Sequence, residues 1–105
     1  MRKLGFEITR EAEADYRAAV DYYAADSLEP ARAFASAFRA AVALLRERPL
    51  IGTPYEEGTR RKVLSRFPFA IIYDVQPELL TLIAVAHHSR DPQYWQDRVR
   101  KHRGG

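Results

Sequence analysis

The 105-residue sequence contains no cysteine, only five glycines and no long apolar run. Without a thiol, the chain can form neither a disulfide framework nor a thiolate metal site, and it has no cysteine nucleophile. The glycines match no glycine-rich phosphate loop, and no apolar stretch approaches the roughly 20 residues of a membrane-spanning helix. Charged residues also come too early for a signal peptide. We therefore expect a soluble, cytoplasmic protein.

Positive charge is concentrated in the second half of the chain. Residues 1–59 contain 8 Arg and Lys against 10 Asp and Glu, whereas residues 60–105 contain 9 against 4. This asymmetry predicts a basic surface in the C-terminal part, which would attract an anionic partner such as a nucleic acid or an acidic protein segment. A basic surface that is only solvated is the alternative reading of the same charges.

Hydrophobic periodicity predicts a strand and two helices in the first half. Residues 4–8 alternate between apolar and other side chains, as in a half-buried strand. Thr9 can cap a helix whose apolar positions recur over residues 12–23, and residues 26–27 end it. The second helix has an apolar stripe rich in alanine over residues 31–45. The short connection predicts an antiparallel helical hairpin.

Three strand-like runs and a helical turn follow. Residues 61–67 alternate imperfectly, whereas residues 69–75 and 79–86 are almost continuously apolar. The short turn at residues 76–78 predicts that the last two runs pair as a hairpin. Residues 91–92, Asp-Pro, can open a final helical segment.

The element order βααβββ predicts an α+β fold, with the helical hairpin packed on a mainly antiparallel sheet and a short C-terminal helical segment. We expect one domain over residues 1–100 and a mobile basic tail over residues 101–105, because the tail has charge and glycine but no apolar anchor. The predicted core residues are Phe38, Leu45, Phe69, Ile71, Tyr73 and Leu82.

Neither a metal site nor a serine triad is expected. A metal would need His87, His88 or His102 together with Asp91, but adjacent histidines on a strand point to opposite faces. None of the serines lies in a recognisable nucleophile motif. The sequence therefore predicts no metal and no cofactor.

Basic and aromatic residues cluster around the ends of the predicted strands. Arginine offers planar donors to phosphate or carboxylate, and tyrosine or tryptophan offers a stacking face to a base. The cluster is suited to nucleic-acid binding or RNA cleavage; alternatively, the aromatics only hold the tail on the sheet and the arginines are solvated. Its members are Arg60, Arg61, Lys62, Arg66, His87, His88, Arg90, Tyr94 and Trp95.

Three groups of residues, taken in order, are distinctive. The first comprises residues 8–16 with the tyrosine pair at 22–23, and the second comprises Pro49, Gly52 and Arg60 followed by residues 66–73. The third is residues 83–95, which end in the pattern H-x-x-R-x-P-x-x-W. Together they resemble the ParE/RelE toxin superfamily over nearly the whole chain.

The resemblance implies a toxin of a type II toxin–antitoxin pair, as in plasmid stabilization systems, that a small acidic, ParD-like antitoxin neutralises. ParE-type members inhibit DNA gyrase and arrest growth, whereas RelE-type members cut mRNA on the ribosome with basic residues on the middle strands and a tyrosine near the end. The positions that match those basic residues are Arg61, Val63, Ala70 and His88, with Arg90 close by, and the tyrosine matches Tyr94. Because Val63 and Ala70 carry no charge, the ParE branch is favoured.

The resemblance gives three sets of candidate site residues. For the gyrase inhibitor, which would not be an enzyme, the contact residues are Arg60, Arg61, Arg66, Arg90 and Trp95. For the alternative, a RelE-type endoribonuclease, the catalytic set is Arg61, His87, His88, Arg90 and Tyr94. Phe34, Phe38 and Trp95 are the predicted antitoxin anchors. A basic nucleic-acid-binding module that needs no antitoxin is a further alternative.

Overall fold

The structure, a computed structural model, describes residues 4–104. Its elements are strand β1 (Gly5–Ile8), helices α1 (Arg10–Ala24) and α2 (Leu28–Glu47), strands β2 (Thr53–Pro54), β3 (Arg60–Val63), β4 (Phe69–Val75) and β5 (Leu79–His87), and helix α3 (Gln93–Gly104). A single 3₁₀ turn, Glu56–Gly58, lies between β2 and β3. The predicted α+β order is confirmed, and β2 is an addition that the sequence did not predict.

The five strands form one sheet in the order β1-β5-β4-β3-β2. β1 runs parallel to β5, and the other neighbours are antiparallel, as the sequence predicts for most of the sheet. The turn between β4 and β5 is closed by the Gln76 backbone N–H, which donates to the Leu79 carbonyl at 2.8 Å. β3 ends four residues earlier than predicted, because the chain turns between Leu64 and Phe69.

Thr9 joins the first strand to the first helix. Its hydroxyl oxygen accepts from the Ala12 backbone N–H at 3.1 Å and so satisfies one of the free donors at the start of α1. Its own backbone N–H donates to the Leu82 carbonyl at 3.1 Å. The cap therefore also fixes the start of α1 against β5.

The main core lies between the helical hairpin and one face of the sheet. The apolar stripe of α2 faces the sheet, as its spacing requires, and all six predicted core residues are buried. Aromatic rings from both helices and from the β3–β4 connection fill the space between the layers. The rings in contact are Tyr16, Tyr23, Phe34, Phe38, Phe67 and Phe69.

Helix α3 covers part of the opposite face of the sheet. Trp95 packs there against Ile72, Ala84 and Ala86 in a small second cluster, with Tyr94 at its edge. Trp95 and Tyr94 therefore hold the start of α3 on the sheet, as the alternative interpretation of the basic and aromatic cluster requires of the aromatics. Among residues 4–104, no helix is long and apolar enough to cross a membrane.

The C-terminal residues differ from the prediction of a mobile tail over 101–105. α3 continues to Gly104, and the Arg103 guanidinium donates to the buried Asp74 carboxylate at 2.5 Å. The segment was expected to be mobile because it has no apolar anchor. Its last turn is held instead by the ion pair between Arg103 and the buried Asp74. Gly105 lies outside the described residues.

Candidate functional site

A small cleft opens on the face of the sheet that α3 covers only in part. Its volume is about 150 Å³. The structure brings Arg61 of β3 together with His87, His88 and Arg90 from the end of β5, as the sequence predicted for converging strand ends. Tyr55, Ala70, Ile72, Ala86, Pro92 and Trp95 complete the lining.

Two alanines leave room for the cleft. Ala70 of β4 is paired with Ala86 of β5, and both are buried on this face of the sheet. Arg61 of β3 is paired with Ile72 of β4, which is on the same face of the sheet as Ala70. The Arg61 side chain therefore lies on the same face as the two alanines. A larger residue at position 70 or 86 would fill the space between Arg61 and Trp95.

The two arginines of the cleft are positioned by tyrosine rings. The Arg61 guanidinium lies 5.7 Å from the centre of the Tyr55 ring, and the Arg90 guanidinium lies 4.0 Å from that of Tyr94. Neither makes an ion pair with a carboxylate among residues 4–104. Both charges are therefore held in place and remain available to an external anion.

His87 is oriented by the turn that follows it. Its Nδ1 accepts from the Ser89 backbone N–H at 3.0 Å, so in the neutral ring the proton is on Nε2. The ring also contacts Phe69 edge to face, with 5.1 Å between the ring centres. The His87 ring therefore lies on the face of the sheet that the helical hairpin covers, whereas the Arg61 side chain lies on the opposite face.

Tyr94 is held by a network that the sequence did not predict. Its hydroxyl donates to Asp15 of α1, whose carboxylate also accepts from Arg98 at 2.8 Å and from the Val85 backbone N–H at 3.0 Å. Burial by itself would lower the pKa of Arg98, but the hydrogen bonds and charge of Asp15 raise it. The network closes the part of the β5 edge that β1 does not reach.

Arg60, a predicted contact residue, is bonded to the connection that follows α2. Its guanidinium donates to the Gly52 carbonyl at 2.7 Å and to the Leu50 carbonyl at 3.2 Å. Beside it, the Tyr73 hydroxyl accepts from the Gly52 N–H at 2.9 Å and donates to the Pro49 carbonyl at 2.8 Å. Burial raises the pKa of Tyr73, so the hydroxyl stays protonated in this role. These bonds fix the connection after α2.

The family of the chain follows from its comparison with known proteins. The sequence matches the family model described as ParE toxin of type II toxin-antitoxin system, parDE, over residues 6–92. The chain belongs to the ParE toxin family. A solved structure, the chromosomal ParDE TA system from P. aeruginosa, is 25% identical to it with a TM-score of 0.73. That match covers 80% of this chain and 95% of the other. No match was found among curated proteins.

Three predicted contact residues of this ParE-family chain are buried. Of the predicted antitoxin anchors, Phe34 is 0% exposed, Phe38 9% and Trp95 4%, so little of their surface is open to a partner. Phe34 and Phe38 pack in the main core because the α2 stripe faces the sheet. Only the edge of Phe38 reaches a surface groove, which Phe6, Ile8, Tyr16 and Val42 also line.

Other predicted residues divide between the cleft and its surroundings. Arg66 lies outside the cleft lining, exposed in the β3–β4 turn with a positive φ of 70°. Val63 and Ala70 are paired across β3 and β4, and Val63 is 41% exposed. Among residues 4–104, no group of three or more His, Cys, Asp or Glu side chains is arranged to hold a metal.

Asp15 and Arg98 are the site residues that sequence reasoning missed. The sequence contains one indication of their role. Asp15 lies one turn from Ala12 and one turn from Ala19 on α1, and both alanines are buried. A carboxylate beside a buried stripe requires a partner. Its partner is 83 residues away along the chain, and no local pattern specifies such a distance.

Proposed function

We propose that this ParE-family chain arrests growth by binding and inhibiting DNA gyrase, without catalysing a reaction. The observation that supports the absence of catalysis is the state of Tyr94. The family resemblance makes Tyr94 the tyrosine of the ribosome-dependent nucleases, but its hydroxyl donates to Asp15 and its ring lies against two arginines. A hydroxyl engaged in this way is poorly placed to transfer a proton to or from RNA.

The residues at the matching basic positions support the same conclusion. Cleavage of a phosphodiester needs cationic groups that stabilise the charge of the transition state. Val63 and Ala70 supply none, and only Arg61 among the strand positions carries a charge into the cleft. The alternative, an mRNA endonuclease, would have to rely on Arg61, Arg90 and the two histidines.

The proposed gyrase contacts are Arg61, Arg90 and Arg66. The end of β3, the start of β4 and the end of β5 lie at one end of the sheet, since Val63 pairs with Ala70 and Phe69 with His87. Arginine is among the residues that contribute most to protein–protein contact energy. Arg60 and Trp95 are omitted, because one is bonded to backbone carbonyls and the other is buried.

The proposed antitoxin site is the groove between β1 and the helical hairpin. The groove has a volume of about 510 Å³ and an apolar lining of Phe6, Ile8, Tyr16, Phe38 and Val42. Its charged lining residues are Arg39, Arg46 and Glu13, so positive charge is in excess. β1 is an edge strand of the sheet, so its outer side is open to a further segment. An acidic antitoxin segment with apolar anchors would fit both the lining and the arginines.

A supercoiling assay tests the target. Purified chain should inhibit supercoiling by DNA gyrase, and the double variant Arg61→Ala/Arg90→Ala should inhibit it at least about tenfold less, because two arginine contacts are lost. Arg32→Ala, which removes an exposed arginine from α2, is the matched control and should inhibit normally. Unaffected supercoiling together with cleavage of translated mRNA at codon boundaries would refute the gyrase proposal in favour of the nuclease.

Co-purification tests the antitoxin site. Val42→Glu places a charge in the apolar groove and should prevent capture of the chain by its antitoxin, so that growth arrest persists when the two are co-expressed. Ala40→Glu, on the exposed side of α2, should be captured and neutralised normally. If the unmodified chain expressed alone is harmless and co-purifies with nothing, the toxin proposal fails.

A further inference from the structure

The two members of the tyrosine pair at the end of α1 have different surroundings. Tyr23 packs in the main core against Phe34 and Phe69, with 5.5 and 6.2 Å between the ring centres. Tyr22 is 74% exposed, and its ring contacts Tyr23 edge to face with 5.2 Å between the centres. The packing of the core therefore explains Tyr23 but not the aromatic ring at position 22.

Tyr22 borders an open cavity of about 450 Å³, called here the Tyr22 cavity. Helix α1 supplies one wall through Ala18, Tyr22 and Tyr23, and the start of β4 supplies another through Pro68 and Phe69. Most of this lining is apolar or aromatic, and the small side chain at position 18 leaves the wall low. The cavity has the size and the composition of a site that takes up a bulky apolar group.

The free charges around the Tyr22 cavity are positive. Asp15 also lines it, but the hydrogen-bond network described above already engages this carboxylate. The Arg90 guanidinium lies on the Tyr94 ring, and Arg66, in the turn that supplies Pro68, makes no ion pair among residues 4–104. Two exposed guanidiniums without carboxylate partners favour an occupant that carries acidic groups.

The backbone at Arg66 also points to a contact role. Its φ of 70° lies in the left-handed region, where glycine has no steric cost and a larger residue does. Residues held in this conformation cluster at sites that contact ligands or partners. Arginine at this exposed position therefore costs stability that glycine would not cost.

The Tyr22 cavity and the groove proposed for the antitoxin lie on opposite sides of α1. Glu13 and Tyr16 line the groove, whereas Ala18 and Tyr22 line the cavity, and the two sites share no lining residue. At about 3.6 residues per turn, the nine positions from Glu13 to Tyr22 correspond to a rotation of about 180° around the helix axis. The cavity is therefore open to a partner other than the antitoxin.

We infer that the Tyr22 cavity receives a bulky apolar side chain of DNA gyrase, and that carboxylates beside that side chain contact Arg66 and Arg90. This assignment rests on the proposed function, which names the occupant. Arg90 lines both the cavity and the cleft, so the apolar anchor is continuous with the proposed arginine contacts. Tyrosine and arginine are also among the residues that contribute most to binding energy at protein interfaces.

Supercoiling assays with Tyr22 variants test the apolar anchor. Tyr22→Ser removes a mostly exposed ring, so the chain should fold, but its inhibition of gyrase should weaken at least about tenfold. Tyr22→Phe keeps the ring and should inhibit normally. The matched control is Leu50→Ser, which removes a side chain that is 64% exposed outside the cavity and should also inhibit normally. Inhibition by Tyr22→Ser that equals wild type would overturn the inference.

A pair of variants at Ala18 tests the charge of the occupant. Glutamate and lysine fill similar space at this exposed cavity wall but carry opposite charges. Surface plasmon resonance with immobilised gyrase should show about tenfold weaker binding for Ala18→Glu, which repels carboxylates, and a smaller loss for Ala18→Lys. Ala40→Glu, on the exposed side of α2, should bind normally. Equal losses for the two Ala18 variants would overturn an acidic occupant.

Arg66→Gly separates contact from stability. Glycine suits the positive φ, so the melting temperature should not fall, whereas gyrase binding should weaken because a charge contact is lost. Binding at the affinity of the wild type would overturn the role of Arg66.

Two comparisons separate this inference from the proposals on which it depends. Wild-type chain that leaves supercoiling unaffected would refute gyrase as target and as occupant, whereas equal inhibition by wild type and Tyr22→Ser would overturn the cavity alone. Tyr22→Ser should still be captured by the antitoxin, because the cavity and the groove are separate. Loss of that capture together with normal inhibition of gyrase would assign the cavity to the antitoxin and overturn the inference.

Discussion

The two faces of the sheet are held by different kinds of interaction. On one face, the helical hairpin packs through a continuous set of aromatic and aliphatic side chains, with Phe34 and Leu45 fully buried. On the other, α3 contributes Trp95 and Val99 as its buried residues and is otherwise fixed by charged side chains. The pairs are Arg98 with Asp15, Arg100 with Glu57, and Arg103 with Asp74.

This difference relates stability to function. Apolar side chains carry no charge, so their packing neither titrates nor is screened by salt, and it holds the helical hairpin on the sheet. The α3 face depends on ion pairs, which respond to both, and it is the face that carries the open cleft. We therefore expect the hairpin face to determine global stability and the α3 face to determine the shape of the site.

Removing a core aromatic should have the largest effect. Phe34→Ala should lower the free energy of unfolding by about 3–5 kcal/mol, because it empties a fully buried aromatic site. Tyr22→Ala removes a ring that is mostly exposed and should cost less than about 0.5 kcal/mol. Urea denaturation measures both. Similar values for the two variants would contradict the assignment of the core to the hairpin face.

Breaking the Asp15 network should have the next largest effect. Asp15→Ala leaves the Arg98 guanidinium, the Val85 N–H and the Tyr94 hydroxyl without their shared acceptor, so we expect a loss of about 3 kcal/mol. Asp21→Ala, at an exposed position on the same helix, is the control. Hydrogen exchange at Val85 should become faster only in the first variant; unchanged protection there would show that the network does not hold the β5 edge.

The Arg103–Asp74 pair should have a smaller effect that depends on pH. Burial alone would raise the pKa of Asp74, but hydrogen bonds from Arg103 and Gln76 lower it below its ordinary 3.8. The pair therefore stabilises the fold above about pH 4, and the contribution is lost as the pH falls through the lowered pKa. Because Arg103 is partly exposed, Arg103→Gln should cost about 1 kcal/mol at neutral pH.

Unfolding measured from pH 7 to pH 2 checks this prediction. The difference between wild type and Arg103→Gln should be constant at neutral pH and shrink in acid. Arg17→Gln, which removes the exposed pair with Glu13, should differ little from wild type at any pH. A difference for Arg103→Gln that grows in acid would contradict the lowered pKa.

Local patterns predicted the elements of the fold well. The Thr9 cap, the alanine-rich stripe of α2 and the apolar runs of β4 and β5 each reflect a constraint between near neighbours in sequence. β2 was missed because it contains two residues, one of them proline, and pairs only at the sheet edge. The length of α3 was missed because charged side chains, rather than an apolar stripe, hold its last turn.

The sequence predicted which residues lie at the candidate site but not what each of them contacts. The sequence placed Arg61, His87, His88 and Arg90 together, because strand ends converge when neighbouring strands are antiparallel. It could not show that Arg60 is bonded to the Gly52 carbonyl, since that depends on where a connection of irregular backbone passes. Burial of Trp95 depends likewise on the angle at which α3 meets the sheet, which no periodicity encodes.

The parallel pairing of β1 with β5 has a consequence for how the chain folds as it is made. Thr9 bonds to a residue 74 positions further along, and every strand partner of β1 lies in the last third of the sequence. During synthesis, β1 therefore has no strand partner until β5 has been made. Contacts between residues so far apart in sequence also form slowly. The cleft, which needs β3, β5 and α3, is completed only after α3 has been synthesised. A nascent chain would thus carry the apolar groove and the two cleft arginines in an unfinished form until β5 and α3 have left the ribosome.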